Sequence, residues 1–177
     1  MAFGKTVTQG QNKRNLAMKD DLLDIHALPG HLIRRLNQIA VAQFMEKMAQ
    51  LNLDITTVQY SALSAIQNHP GIDQASIAGL IAYDRATLGK VIDRLEAKAL
   101  VSRKVSPHDR RAREVTLTAA GENLLEQIHP VVRKAQPEIL AGLSSEEQEE
   151  FITLLKKATL AGNEKSRAPQ RSLAKAG

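Results

Sequence analysis

A chain of 177 residues with 43% hydrophobic content is long enough for one packed domain, or for a domain with a long dimerisation arm. It has no cysteine, no tryptophan and 3% aromatics, which excludes disulfides and thiolate chemistry and leaves aliphatic helix packing to build the core. The net charge of +5 suits a polyanionic partner; with no apolar run near about 18 residues and no signal-like start, a soluble cytoplasmic protein away from membranes is expected.

Residues 1–20 hold Gly4, Gly10 and scattered Lys/Arg without periodicity, and are expected to form a flexible arm. Residues 21–54 form the next region. Leu28-Pro29-Gly30 marks a break, and Pro29 suits the first turn of a helix near 29–51. Its apolar positions are Leu32, Leu36, Ile39, Ala40 and Met48, with His31 and Arg35 one turn apart beside them. Thr56 and Gln59 then make a T-x-x-Q capping box, with Ile55 and Tyr60 placed as a hydrophobic staple. That helix supplies Leu63 and Ile66 to the core and stops at His69-Pro70-Gly71. Asp73 caps a short helix whose Ile77, Leu80 and Ile81 face inward.

The most informative stretch is 83–118. Asp84 can cap a helix in which Leu88, Val91, Ile92 and Leu95 share a stripe about 60° to either side of Leu88. Ala86, Thr87, Lys90 and Arg94 lie on the opposite face, small and cationic, as entry into a major groove about 12 Å wide requires. Two alternating runs follow, Val101 to Val105 and Arg113 to Leu117. They predict a two-stranded hairpin with Arg110 and Arg111 at its tip, suited to a phosphate backbone or a narrow minor groove. From Asp84 to Arg113 there are nine Lys/Arg against four Asp/Glu, a surplus equal to that of the whole chain. The positive charge is concentrated here.

Thr118 is placed to cap a long helix carrying Leu124, Leu125, Ile128, Val131, Val132 and Ala135. Pro130 is expected to kink it, and Pro137 to kink or interrupt it again. Ser144 and Glu147 form a second capping box before Phe151, Leu154, Leu155 and Ala158. Residues 163–177 are basic and lack a core-forming pattern, so they are expected to be a disordered tail with weak, salt-sensitive attraction to DNA.

Two helices followed by PHDRRAREVTLTAAG resemble the winged helix-turn-helix of the MarR family of bacterial transcription regulators. Pro107, Asp109, Arg110, Arg111, Val115, Leu117, Thr118 and Gly121 carry the most specific part of the likeness. The likeness implies a mainly α fold with a small β-hairpin wing, the DNA-binding lobe at 55–117 and dimerisation helices at 21–54 and 118–162. It further implies a homodimer on a pseudo-palindromic operator in double-stranded DNA. Arg85, Ala86, Thr87, Lys90, Arg94, Arg110 and Arg111 would contact DNA, and Asp109 would brace the wing, with Arg111 favoured for the minor groove. Two positions depart from the pattern: Gly89 stands where Ser or Thr is common, and Ala99 where a glycine usually closes the helix.

The resemblance also implies a small aromatic carboxylate or phenolic effector, for which His31, Arg35 and Tyr60 are the candidates. The arm is similar to that of repressors of nicotinate catabolism, which implies a hydroxylated pyridine carboxylate. The leading expectation is a repressor released by such a ligand; the alternative is a sequence-nonspecific architectural DNA-binding protein. An enzyme is not expected, nor any cofactor. Histidines 26, 31, 69, 108 and 129 show no H-x₃-H or H-E-x-x-H spacing, and no nucleophile elbow or phosphate-binding glycine loop appears.

Overall fold

The computed structural model describes residues 23–106 and 112–173. The chain falls into two units, 1–38 and 39–177. In the first, a single 3₁₀ turn, Ile25–Ala27, is capped by Asp24, whose carboxylate accepts from the His26 N–H. Helix α1 (Pro29–Gln50) starts there with proline in its first turn, and its second half belongs to the second unit.

The second unit holds the remaining elements. They are α2 (Thr57–Asn68), β1 (Ile72–Asp73), α3 (Gln74–Leu80), α4 (Arg85–Ala97), β2 (Val101–Val105), β3 (Arg113–Leu117), α5 (Ala119–Ile139) and α6 (Ser145–Gly162). Both capping boxes form: Thr56 with Gln59 opens α2, and Ser144 with Glu147 opens α6. Asp73, Asp84 and Thr118 cap α3, α4 and α5 as their positions foretold.

Helices α1, α3 and α4 all close with the same hydrogen-bond pair although none has a glycine there. Asn52, Ala82 and Ala99 take φ of 56°, 51° and 54°. At α4 the Leu100 N–H reaches Leu95 O at 3.0 Å and the Ala99 N–H reaches Glu96 O at 2.8 Å. This Schellman closure needs a left-handed residue, so each alanine costs about 1 kcal/mol relative to an unstrained backbone. Buried Leu95 and Leu100 lie at the two ends of the α4 closure.

The expected hairpin forms, in the register Val101 opposite Leu117 through Val105 opposite Arg113. The sheet has three strands rather than two, however: β1 pairs with the far side of β3 through Ile72–Val115 and Asp73–Glu114, giving the order β1-β3-β2. Val115 is thus the middle of the sheet and fully buried. Below it sit Leu63 and Ile66 of α2, Ile77 of α3, Leu88, Ile92 and Leu95 of α4, and Leu125 and Ile128 of α5. Burial of the three α4 side chains stabilises by about 2 kcal/mol each and fixes the opposite face of that helix toward solvent.

Two expectations need correction. Of the two outcomes left open at Pro137, interruption is ruled out: α5 runs through Pro130 and Pro137 and ends at Ile139. Each proline removes one intrahelical bond, which the packing of Leu125, Ile128 and Ala135 outweighs. Residues 163–173 are not a disordered tail. A second 3₁₀ turn, Asn163–Lys165, leads into a segment bonded to α3, with Leu173 against the core cluster.

Candidate nucleic-acid interface

Asp84 organises the start of α4. Its Oδ1 accepts from the Thr87 N–H and from the Thr87 hydroxyl, both at 3.0 Å. Those two bonds hold the Asp84 carboxyl below its ordinary range, with nearby Arg167 adding to the effect. Thr87 therefore has its proton engaged, leaving its oxygen lone pairs and methyl for any partner.

Ala86, Thr87, Lys90 and Arg94 are exposed on the face of α4 opposite its buried stripe, and Arg85 is exposed in the helix's first turn. Among the described residues, none of Arg85, Lys90 and Arg94 forms an ion pair. Two other cations close by are spent. Lys98 is 2.7 Å from the Asp54 carboxylate, and Arg103 is 2.7 Å from Asp93 and bonded also to Glu96. Charge is neutralised where elements join and left unmatched on the outward face of α4. Arg110, Arg111 and Asp109 lie outside the described residues.

Arg103 is the residue that sequence reasoning missed. It stands on β2 opposite Val115 and reaches back to α4, tying the wing's base to the helix. The bond to Glu96 raises the Arg103 guanidinium further above its ordinary value, and the same bond holds Glu96 low. The only signal in the sequence was an arginine on an alternating strand, with carboxylates seven and ten residues earlier. At the wing's outer end the Ser106 hydroxyl donates to Glu114 at 2.7 Å. On α3, burial works to raise Asp73, but the Ser76 hydroxyl and the Ser76 and Ala75 N–H groups outweigh it and hold the group low.

The effector candidates fall into both units. In the first, His31 is half-buried with its ring edge-on to His26 at 5.3 Å, and Arg35 is exposed. In the second, Tyr60 belongs to a chain that was not foreseen. Its hydroxyl lies 3.0 Å from His129 Nδ1, and His129 Nε2 lies 2.9 Å from Gln67 Oε1. With Gln67 Oε1 as the acceptor, a neutral imidazole carries its proton on Nε2 and Tyr60 donates to Nδ1. Phe44 leans on the Tyr60 ring at 5.7 Å. Beside them a narrow gap between α1 and α5 is lined by Gln43, Phe44, Lys47, Val132 and Gln136. Gln43 Oε1 is buried there without a protein partner, while Lys47 pairs with Glu138 at 2.9 Å. Among the described residues no cluster of metal-ligating side chains occurs, and no helix is long and apolar enough to cross a membrane.

An exposed cationic helix, packed on a shorter helix and followed by a hairpin, is a winged helix-turn-helix, and similarity to known proteins agrees. The sequence profile of the MarR family matches residues 53–112. The transcriptional regulator HosA of Escherichia coli O111:H- is 36% identical over 127 residues, which cover 72% of this chain and 91% of HosA. The structure of BpsR from Bordetella bronchiseptica, whose DNA binding is regulated by 6-hydroxynicotinic acid, is similar with a TM-score of 0.73. It shares 30% identity over 78% of this chain and 97% of that one. A MarR mutant from E. coli complexed with operator DNA gives a TM-score of 0.68 at 31% identity, over 73% and 91% of the two chains. This chain belongs to the MarR family of transcriptional regulators, with their winged-helix fold.

Proposed function

We propose that the chain is a homodimeric repressor that binds a pseudo-palindromic operator and is released from it by a small aromatic acid of the hydroxynicotinate class. The observation that carries the DNA half is the pair of exposed cations Lys90 and Arg94, without an ion pair among the described residues, on a helix held from behind by Leu88, Ile92 and Leu95, with Arg85 exposed at its start. In this reading Lys90 and Arg94 reach base edges or phosphates in the major groove, with Ala86 and Thr87 beside them. Arg85 takes a phosphate, Arg110 and Arg111 follow the wing into the minor groove, and Asp109 steadies them.

Dimerisation is supported by the apolar side chains the lone chain leaves in water. On α6, Leu154 is 55% and Leu160 79% exposed; on α1, Ile39 and Met45 are also exposed. Interleaving these helices with those of a second copy buries that surface and sets two recognition helices about 34 Å apart. The effector half is supported by the likeness to BpsR. We assign a carboxylate contact to Arg35, a ring hydroxyl or nitrogen contact to His31, and an accepting role to Tyr60, whose proton goes to His129. Binding releases DNA only by as much as ligand affinity differs between the two arrangements of the dimer, typically about 1–3 kcal/mol.

One observation favours the architectural alternative. With Gly89 facing open space and Ala86 beside it, the α4 face has few groups that read bases. A single experiment separates the two. 6-Hydroxynicotinic acid is added to the full chain alone, with the melting temperature as readout, and to its complex with a duplex selected from a random pool. The repressor reading expects a rise in melting temperature and loss of DNA, both abolished by Arg35→Ala. No shift and no release, with equal affinity for selected and random duplexes, would establish the architectural protein instead.

A further inference from the structure

The segment after α6 is built into the DNA-binding lobe. The Arg171 N–H donates to Gly79 O at 2.8 Å, and the Gln170 side-chain amide donates to Leu80 O at 3.3 Å. These carbonyls belong to the last turn of α3; Gly79 O also accepts from the Ala82 N–H at 3.2 Å in the helix closure, so Arg171 is a second donor on it. Gly79 permits the approach, because a Cβ there would lie 3.0 Å from Arg171 Cβ. Asn163 closes the loop upon itself, its Oδ1 accepting from the Gln170 N–H at 2.8 Å and its amide donating to Gln170 O at 3.1 Å. Glu164 grips the Arg171 guanidinium with both oxygens, at 2.6 and 3.0 Å. Leu173 packs against the core cluster.

This clamp carries Arg167 to the N-cap of α4. Its guanidinium Nη2 is 3.7 Å from Asp84 Oδ2, and the side chain is 88% exposed. At that distance the pair is loose, so the guanidinium keeps its donors available, and an exposed pair of this kind adds little to stability. Arg171 is held by both Glu164 oxygens, whereas among the described residues Arg167 has only Asp84 as an ion-pair partner. Arg85, Thr87, Lys90 and Arg94 remain exposed, so the segment borders the recognition face without covering it.

We infer that residues 163–173 are a fixed extension of the DNA-binding lobe, and that Arg167 offsets the negative charge of Asp84 and supplies a further phosphate contact beside Arg85. The inference rests on the DNA-binding reading above and deepens it, adding a third element to helix and wing. A phosphate approaching the start of α4 would otherwise meet the Asp84 carboxylate; with Arg167 over it, the approach is met by donors.

The test is an anisotropy titration of a duplex selected by the full chain, repeated over a series of salt concentrations. Arg167→Ala is expected to weaken binding about tenfold at low salt and to lower the slope of log affinity against log salt by about 2 for a dimer, one contact per protomer. Arg167→Lys should retain most of the affinity. Asn163→Ala, which unlocks the loop, should lose as much as Arg167→Ala while the core melts at the same temperature. An unchanged slope for Arg167→Ala on a duplex the wild type binds would overturn the inference and leave the DNA-binding reading standing. Tighter binding by Asn163→Ala would overturn it too, showing that the segment shields the lobe. A wild type that binds no duplex would remove both.

Discussion

Replacing Lys90 and Arg94 together with alanine is expected to lower operator affinity about 10³-fold near physiological salt. In a dimer the double substitution removes four contacts, and each is worth roughly a factor of five to ten. Both side chains are exposed and form no ion pair among the described residues, so their loss should leave the fold intact, and the melting temperature should move little. Lys98→Ala is the matched control. It removes a cation from the end of the same helix, but one already paired with Asp54, and should change affinity only slightly. Fluorescence anisotropy reads all three proteins. Equal losses from Lys98 and from the Lys90–Arg94 pair would mean that bulk charge, rather than the α4 face, drives binding.

The second large effect is on stability and comes from one kind of substitution with opposite signs at two sites. Gly121→Ala is expected to destabilise by about 3 kcal/mol, lowering the melting temperature by about 10 °C. A Cβ at Gly121 would sit 2.2 Å from the Leu100 carbonyl oxygen and 3.3 Å from a Leu117 methyl. That oxygen cannot move away cheaply. It accepts from the Thr118 N–H, while the Thr118 hydroxyl donates to Ala99 O at 2.7 Å and accepts from the Gly121 N–H. The wing's base, the α4 closure and the first turn of α5 are therefore wedged together at one glycine. Gly89→Ala meets nothing within 4 Å and should stabilise by about 1 kcal/mol through helix propensity alone. Thermal or denaturant melts of the two variants decide the matter. A harmless Gly121→Ala would show that the α4–wing–α5 junction is looser than its contacts imply.

What the sequence made legible was local. Capping residues act within one turn, so Thr56, Asp73, Asp84, Thr118 and Ser144 announced their helices without knowledge of the tertiary fold. The alternation of 101–105 and 113–117 predicted both strands because five residues suffice to show a period of two. Ala99 stands where the family resemblance puts a closing glycine, and its backbone is left-handed there. The misses were non-local. Strand β1 is two residues long and has no period; it exists because Ile72 lands beside Val115. Arg103 was one position of an alternating strand, and its partners Asp93 and Glu96 meet it only once β2 folds back over α4. Residues 163–173 contribute only Leu173 to the core and are held by hydrogen bonds to carbonyls of α3, an attachment with no hydrophobic pattern to read.

The same division applies to function. The cationic face of α4 was readable because helix periodicity assigns faces residue by residue. The Tyr60–His129–Gln67 chain was not, since His129 lies more than sixty residues from both Tyr60 and Gln67 and meets them only through packing of α2 against α5. That chain bears on effector binding. With its proton donated to His129, Tyr60 offers a ligand an acceptor rather than a donor, which suits a protonated ring nitrogen or hydroxyl better than a carboxylate.

The most direct measurement is a hydroxyl-radical footprint of the full chain on a selected duplex, with the protein-to-DNA ratio determined on the same complex. Two copies per duplex, and two equivalent protected patches centred about 10 base pairs apart with flanking minor-groove protection from the wings, are the expected result. One protein per duplex with a single patch, or even protection without symmetry at every length tested, would contradict a paired helix-and-wing reader.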